Sequence, residues 1–182
     1  CESSVRFEVI AEIYQSPNPG NPSATGISAC NNDNNIDLNT GLDGSQDAGG
    51  VWQDTDGTGA LTGNIFDATG LAAGDYQFTY FVAATSPCID ASTAITVRLD
   101  TPLDAGTDGT LDDCSNNGTT DLFTRLGGSP DTGGTWSPAL TSGTGVFDPL
   151  VDVQGTYTYT LTNSCGTATS EVVVSLTQSP YA

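Results

Sequence analysis

The chain has 182 residues, 22 acidic against 3 basic side chains, and a formal charge of −19 with neither His nor Met. So acidic a surface repels phosphate backbones and anionic membranes, which excludes nucleic acid as a partner. No apolar run approaches the roughly 20 residues that span a bilayer, so membrane insertion is not expected.

Residues 1–13 alternate, with Val5, Phe7, Val9, Ala11 and Ile13 on one face, which predicts a half-buried strand. Residues 14–26 hold Pro17, Pro19, Pro22, Gly20 and Gly26, a composition that predicts a linker with some polyproline stiffness. Ile36 to Leu42 and Thr120 to Leu126 each predict one or two helical turns capped by Thr or Asp. Gly74 to Val82 places Tyr76, Phe78, Tyr80 and Val82 on one strand face, and Ile95, Val97 and Leu99 return on the next strand. Tyr157, Tyr159 and Leu161, then Val172, Val174 and Leu176, repeat that hairpin.

The repetition is systematic. Gly49-Gly50-Val51-Trp52 recurs 84 residues later as Gly133-Gly134-Thr135-Trp136, with Asp37-Leu38 over Asp121-Leu122 and Phe66-Asp67 over Phe147-Asp148. Ordered matches at a nearly fixed offset mean two copies of one structural unit. Trp52, Trp136, Tyr76, Tyr157, Phe66 and Phe147 are the core markers of the two copies. The expected organisation is the last strand of a preceding repeat at 1–13 (or an N-terminal exchanged strand). Repeat 1 then occupies 14–100 with its linker, repeat 2 occupies 101–177, and a new linker starts at 178–182.

Aligning the copies puts Cys30 over Cys114 and Cys88 over Cys165, one early and one late cysteine each. That arrangement suggests disulfides Cys30–Cys88 and Cys114–Cys165, each worth about 4 kcal/mol in the loop-entropy picture. Cys1 aligns with the late cysteines, so its partner is expected outside this sequence, in a longer array. Paired thiols imply an oxidising compartment. The expected fold is all-β: tandem immunoglobulin-like antiparallel sandwiches, each with one internal disulfide and a short helical turn.

The second copy carries Cys114, Asp121 to Gly128, Asp131 to Ser137, Gly145 to Pro149, Gly155 to Tyr159 and Ser164-Cys165. This pattern resembles the immunoglobulin-like repeats of giant cell-surface adhesins of Bacteroidota, including substrates of type IX secretion linked to gliding motility. The resemblance covers nearly all of 14–177; repeat 1 departs at Asp43, where repeat 2 has Gly127, and at Gln53-Asp54 in place of Ser137-Pro138. It implies an elongated adhesive or fibre-forming protein at the cell surface, exported across the outer membrane, with no catalytic residues and neighbouring repeats as its partners.

The residues themselves point away from catalysis. A nucleophilic triad lacks its usual His base, and Schiff-base chemistry lacks a Lys. Paired carboxylates could in form serve a glycosidase, yet the acids that recur, Asp37/Asp121, Asp47/Asp131 and Asp67/Asp148, read as caps and turn formers. No cofactor is required. Calcium is the one cation to consider. Asp54-Thr55-Asp56-Gly57 resembles the opening of a calcium loop, although Ile65 stands where an EF-hand has its bidentate acid. Asp100, Asp104 and Asp108 could clamp a cation at the junction of the copies. The expected function is a disulfide-stabilised spacer in a surface adhesin that presents binding regions to an unspecified surface or glycan. Two alternatives are a filament subunit that exchanges its first strand and a carbohydrate-binding module built on exposed aromatics.

Overall fold

A computed structural model describes residues 9–178. The chain divides into two compact units, Cys1–Leu99 and Asp100–Ala182. In the first, the strands are β1 (Ile27–Cys30), β2 (Ile36–Asp37), β3 (Val51–Asp54), β4 (Leu61–Thr62), β5 (Ile65–Phe66), β6 (Gly74–Val82) and β7 (Ala91–Asp100). They form a sheet ordered β1-β7-β6-β3 and a small sheet ordered β2-β5-β4. In the second, β8 (Gly109–Cys114), β9 (Thr120–Asp121), β10 (Thr135–Ser137), β11 (Val146–Phe147), β12 (Gly155–Asn163) and β13 (Gly166–Thr177) form sheets β10-β12-β13-β8 and β11-β9. The same β-sandwich is built twice, as the immunoglobulin-like reading predicts.

The alternation of side chains sets the layers. Along β6, Phe78, Tyr80 and Val82 are buried while the residues between them are less so; on β7, Ile95, Val97 and Leu99 face the same core. In the second unit Tyr157, Tyr159 and Leu161 of β12 and Val172 and Val174 of β13 do likewise. Phe66, Phe78 and Phe147 are fully buried, each worth about 1.5–3 kcal/mol relative to an exposed ring. Phe66 packs on Phe78 at 4.7 Å between centroids, and Phe147 meets Tyr157 edge-on at 5.8 Å. Tyr76 is half-buried against the first core and Trp136 against the second, whereas Trp52 is buried.

Among the described residues each unit carries one short 3₁₀ turn, Leu38–Gly41 and Leu122–Arg125. The N-terminal caps are Asp37 and Asp121, which accept from the Asn39 N–H at 2.9 Å and the Phe123 N–H at 3.0 Å. An aspartate cap satisfies donors that a helix start leaves orphaned. The turn buries Leu38 or Leu122 and stops when Leu42 or Leu126 takes extended backbone angles.

The proline-rich segment 14–26 is no free tether. The Asp47 carboxylate accepts the Asn18 N–H at 2.7 Å, and the Asp47 N–H donates to the Asn18 carbonyl at 2.8 Å. Pro22 bridges to Leu42, and the Ser23 N–H donates to Gly41 O. The acidic segment of the second unit is held in the same manner: Asp104 N–H reaches the Asp131 carboxylate at 2.9 Å, and Asp131 N–H returns to Asp104 O at 2.7 Å. Both segments run along their own sandwich because these backbone pairs fix them.

Two expectations are corrected. Most of the strand expected over 1–13 lies outside the described residues; residues 9–13 are not in a strand, and Val9, Ile10 and Ile13 are exposed. The disulfides Cys30–Cys88 and Cys114–Cys165 are not formed: Cys88 and Cys114 are free thiols, and the disulfide-bonded cysteines are Cys30 and Cys165. The reason is strand direction. β13 pairs with β8 in parallel, and Cys114 sits opposite Thr177. Cys165 lies in the two-residue turn before β13, at the other end of that strand. At about 3.3 Å per residue the two cysteines stand about 40 Å apart, against the ~5.5 Å between Cα atoms that a disulfide needs. Cys1 and its pairing lie outside the described residues.

Candidate functional site

The feature that both units build most alike is the corner before the Trp strand. In the first, the Tyr80 hydroxyl accepts the Gly50 N–H at 3.0 Å and donates to Asp47 O at 2.9 Å. In the second, the Tyr159 hydroxyl accepts the Gly134 N–H at 2.8 Å and donates to Asp131 O at 2.9 Å. One phenol thereby closes the turn at both ends. The ring lies where a side chain would begin: a Cβ on Gly50 would stand 2.4 Å from Tyr80, and one on Gly134 2.5 Å from Tyr159. Gly49 and Gly133 turn the chain with φ of +91° and +97°, a conformation that suits glycine. Trp52 then lies 5.1 Å from Tyr80, and Trp136 5.1 Å from Tyr159.

Beside each corner lies a recess. The first measures about 610 Å³ and is lined by Asn39, Asp47, Gly50, Trp52, Asn64 and Tyr80. The second measures about 490 Å³ and includes Asp121, Phe123, Gly134, Trp136 and Tyr159 in its walls. One of the positions where they differ lies against the Trp and Tyr rings. Asn39 accepts the Trp52 indole N–H at 3.0 Å, whereas Phe123 stands at the equivalent place and packs edge-on against Tyr159 at 5.5 Å. The walls of the two recesses combine aromatic faces and backbone with polar side chains such as Asn39, Asp47 and Asn64 in the first and Asp121 in the second, and none of the lining residues is Lys, His or Cys.

A second pair of tyrosines pins the strand starts. Tyr76 donates to Ala72 O at 2.9 Å and Tyr157 to Val153 O at 2.7 Å, as in the tyrosine corner of immunoglobulin-like domains. Burial raises the Tyr157 pKa, and the Asp152 charge adds to it.

The carboxylates named from the sequence are engaged with nearby donors. Asp54 accepts from the Gly57 and Gly59 N–H groups and the Thr58 hydroxyl; Asp56 accepts the Gln77 N–H. Asp100 accepts the Ser164 hydroxyl, Asp104 the Gly106 N–H and Asp108 the Glu171 N–H. Among the described residues no three acidic or thiol groups gather as a metal site. Asp67 and Asp148 each accept the N–H two residues on, from Thr69 and Leu150, at 2.9 Å. The Asp43 carboxyl is held below the usual carboxylate range by the Ser45 hydroxyl, the Asn21 amide and two backbone N–H groups. Asp67 is lowered by Thr69; burial pushes Asp152 up, but its hydrogen bonds from Thr141 and Asp148 outweigh that.

Sequence reasoning placed the aromatics but missed the phenol-to-glycine latch and the Asn18–Asp47 and Asp104–Asp131 pairings. A signal existed for the first: Gly-Gly and a tyrosine recur at matched positions in both copies.

No protein-family model and no curated protein matches the chain. Among solved structures, an I-band fragment of titin spanning I67–I69 is similar over 74% of this chain and 57% of its own, at 16% identity and a TM-score of 0.40. An E-to-A variant of the same three titin domains is similar over 72% and 51%, at 17% identity and a TM-score of 0.36. The chain spans about half the length of these titin fragments. The likeness is weak and concerns immunoglobulin-like repeats; the fold rests on the strands described above.

Proposed function

We propose that this chain is a two-repeat section of an extracellular bacterial surface adhesin or fibre, exported across the outer membrane, in which each sandwich is a mechanical spacer. The observation that carries the reading is the use made of the repeated polar groups. The tyrosine latch, the aspartate cap and the aspartate pair with the incoming segment all recur in both units, and all hold the chain to itself. Conserving a shape twice while committing its polar groups internally suits a part whose task is to extend and present. The resemblance to Bacteroidota adhesin repeats supplies the compartment and a link to gliding motility.

Single-molecule pulling of the chain under reducing conditions tests it. Two separate unfolding events are expected, each releasing about 250–300 Å for roughly 80 residues. One event, or featureless extension, contradicts a spacer made of independent mechanical units. A second reading, carbohydrate binding at the aromatic recesses, is favoured by the half-buried Trp136 in the wall of one recess. Quenching of Trp fluorescence by oligosaccharides supports it, and an unaltered spectrum across a glycan panel removes it.

A further inference from the structure

We infer that Cys88 and Cys114 are disulfide positions that tie this pair of repeats to further copies: Cys88 to the early cysteine of a preceding copy, and Cys114 to the late cysteine of a following one. The inference rests on the array reading above and goes beyond it by making the array covalently cross-linked along its length. Three observations carry it.

The equivalents of these two thiols are bonded. Cys88 aligns with Cys165 and Cys114 with Cys30, and both of those are disulfide-bonded, while Cys88 and Cys114 are free. For Cys114, pairing inside the repeat is ruled out by distance, because parallel β8 and β13 put it beside Thr177, about 40 Å from Cys165; for Cys88, the early cysteine of its own repeat, Cys30, is already bonded while Cys88 is free. A bond made from either position therefore reaches a cysteine of another copy.

The surroundings of the late cysteine also repeat. Cys165 Sγ lies 3.4 Å from the carbonyl oxygen of Asp100, which stands twelve residues after Cys88. Cys88 Sγ lies 3.7 Å from the carbonyl oxygen of Tyr14, which stands thirteen residues after Cys1. Each late sulfur is seated against the chain just beyond the span that follows the previous late cysteine. Cys88 is thus placed as its bonded equivalent is. Both free thiols can be reached by an oxidant, Cys114 being exposed and Cys88 half-buried.

The chemistry is thiol–disulfide exchange with an external disulfide, an oxidised dithiol oxidoreductase or glutathione disulfide. The Cys114 thiolate attacks one sulfur of that disulfide, forms a mixed disulfide and expels one thiolate. The thiolate of the late cysteine in the following copy then attacks Cys114 Sγ and expels the second. One protein disulfide is gained, two external thiols are formed, and the two protons lost by the cysteines are taken up by them.

The test extends the chain by a second copy of residues 101–182 joined after Thr177, oxidised with glutathione disulfide, then alkylated and digested without reduction. The expected result is a linked peptide joining Cys114 to the late cysteine of the added copy, with Cys88 and the added early cysteine alkylated. In the extended chain with Cys114→Ser, the added late cysteine is expected to become alkylatable. The inference is overturned if Cys114 stays fully alkylatable in the extended chain or is linked to any other cysteine. Calorimetry on the same sample separates the two readings. An unbridged chain whose added copy still unfolds cooperatively sinks the cross-link and leaves the spacer standing, whereas an added copy that does not fold removes both.

Discussion

Tyr159 and Gly134 fit each other as a pair: the phenol accepts the glycine N–H at 2.8 Å while its ring occupies the space a side chain would need. Tyr159→Phe removes this bond and the one to Asp131 O, and leaves a half-buried N–H and C=O without their partner. Since a net hydrogen bond is worth about 1 kcal/mol and an orphaned buried group costs about 1–3 kcal/mol, a loss of roughly 2 kcal/mol is expected. Gly134→Ala, which must displace the ring, is expected to cost more. Urea unfolding of the second unit checks both, and an unshifted midpoint in Tyr159→Phe would show the latch to be idle.

The two aspartate caps supply a matched pair of variants. Asp37→Ala and Asp121→Ala each lose a side-chain acceptor at the start of a 3₁₀ turn, so each is expected to lower stability by about 1 kcal/mol, with Asn at either site restoring most of it. Thermal unfolding reads this as a fall in Tm of several degrees for the affected unit. If Asn were no better than Ala, the hydrogen bond would not be the source.

Acid sensitivity follows from Asp43. Its carboxyl is held below its ordinary value by hydrogen bonds from Ser45 and Asn21, so near pH 3–4 the unfolded chain binds the proton that the folded chain refuses. Stability from this group is present above the unfolded pKa of about 3.9 and is lost as pH falls through the lower folded value. The stability gap between the parent chain and Asp43→Asn should therefore be full at pH 7 and shrink below about pH 4. A gap that stayed constant down to pH 2 would contradict this.

Chelation should leave both units unchanged. Asp54, Asp56, Asp104 and Asp108 already accept N–H groups, and a cation would have to displace those bonds. The expected outcome is the same Tm with excess calcium and with chelator; a rise of several degrees in calcium would reveal a site assembled by rearrangement.

Thiol counting addresses the cysteines directly. Alkylation of the 182-residue chain without reductant should label Cys88 and Cys114 and spare Cys30 and Cys165. Protection of Cys88 and Cys114 as well, with a non-reduced peptide linking Cys30 to Cys88, would restore the pairing inside the repeat.

What could be read from the sequence follows from which forces are local. Side-chain alternation on β6, β7, β12 and β13 needs only a period of two, and the caps at Asp37 and Asp121 act within two residues, so both were legible. The cysteine pairing was not, because alignment shows equivalence between copies but not strand direction. A late cysteine next to an early one in an antiparallel pair and one 40 Å away in a parallel pair have the same sequence. The recesses were hidden for a related reason: Asn39 and Trp52 meet only once the 3₁₀ turn and β3 are packed together.

The parallel pairing of β8 with β13 has a mechanical result. Its six registered positions run from Gly109 opposite Val172 to Cys114 opposite Thr177, so the first long strand of the unit and its last travel in one direction. Tension applied to the two ends of that unit drags these neighbours past each other lengthwise. The ladder then bears load in shear, with its hydrogen bonds resisting together rather than peeling apart one by one.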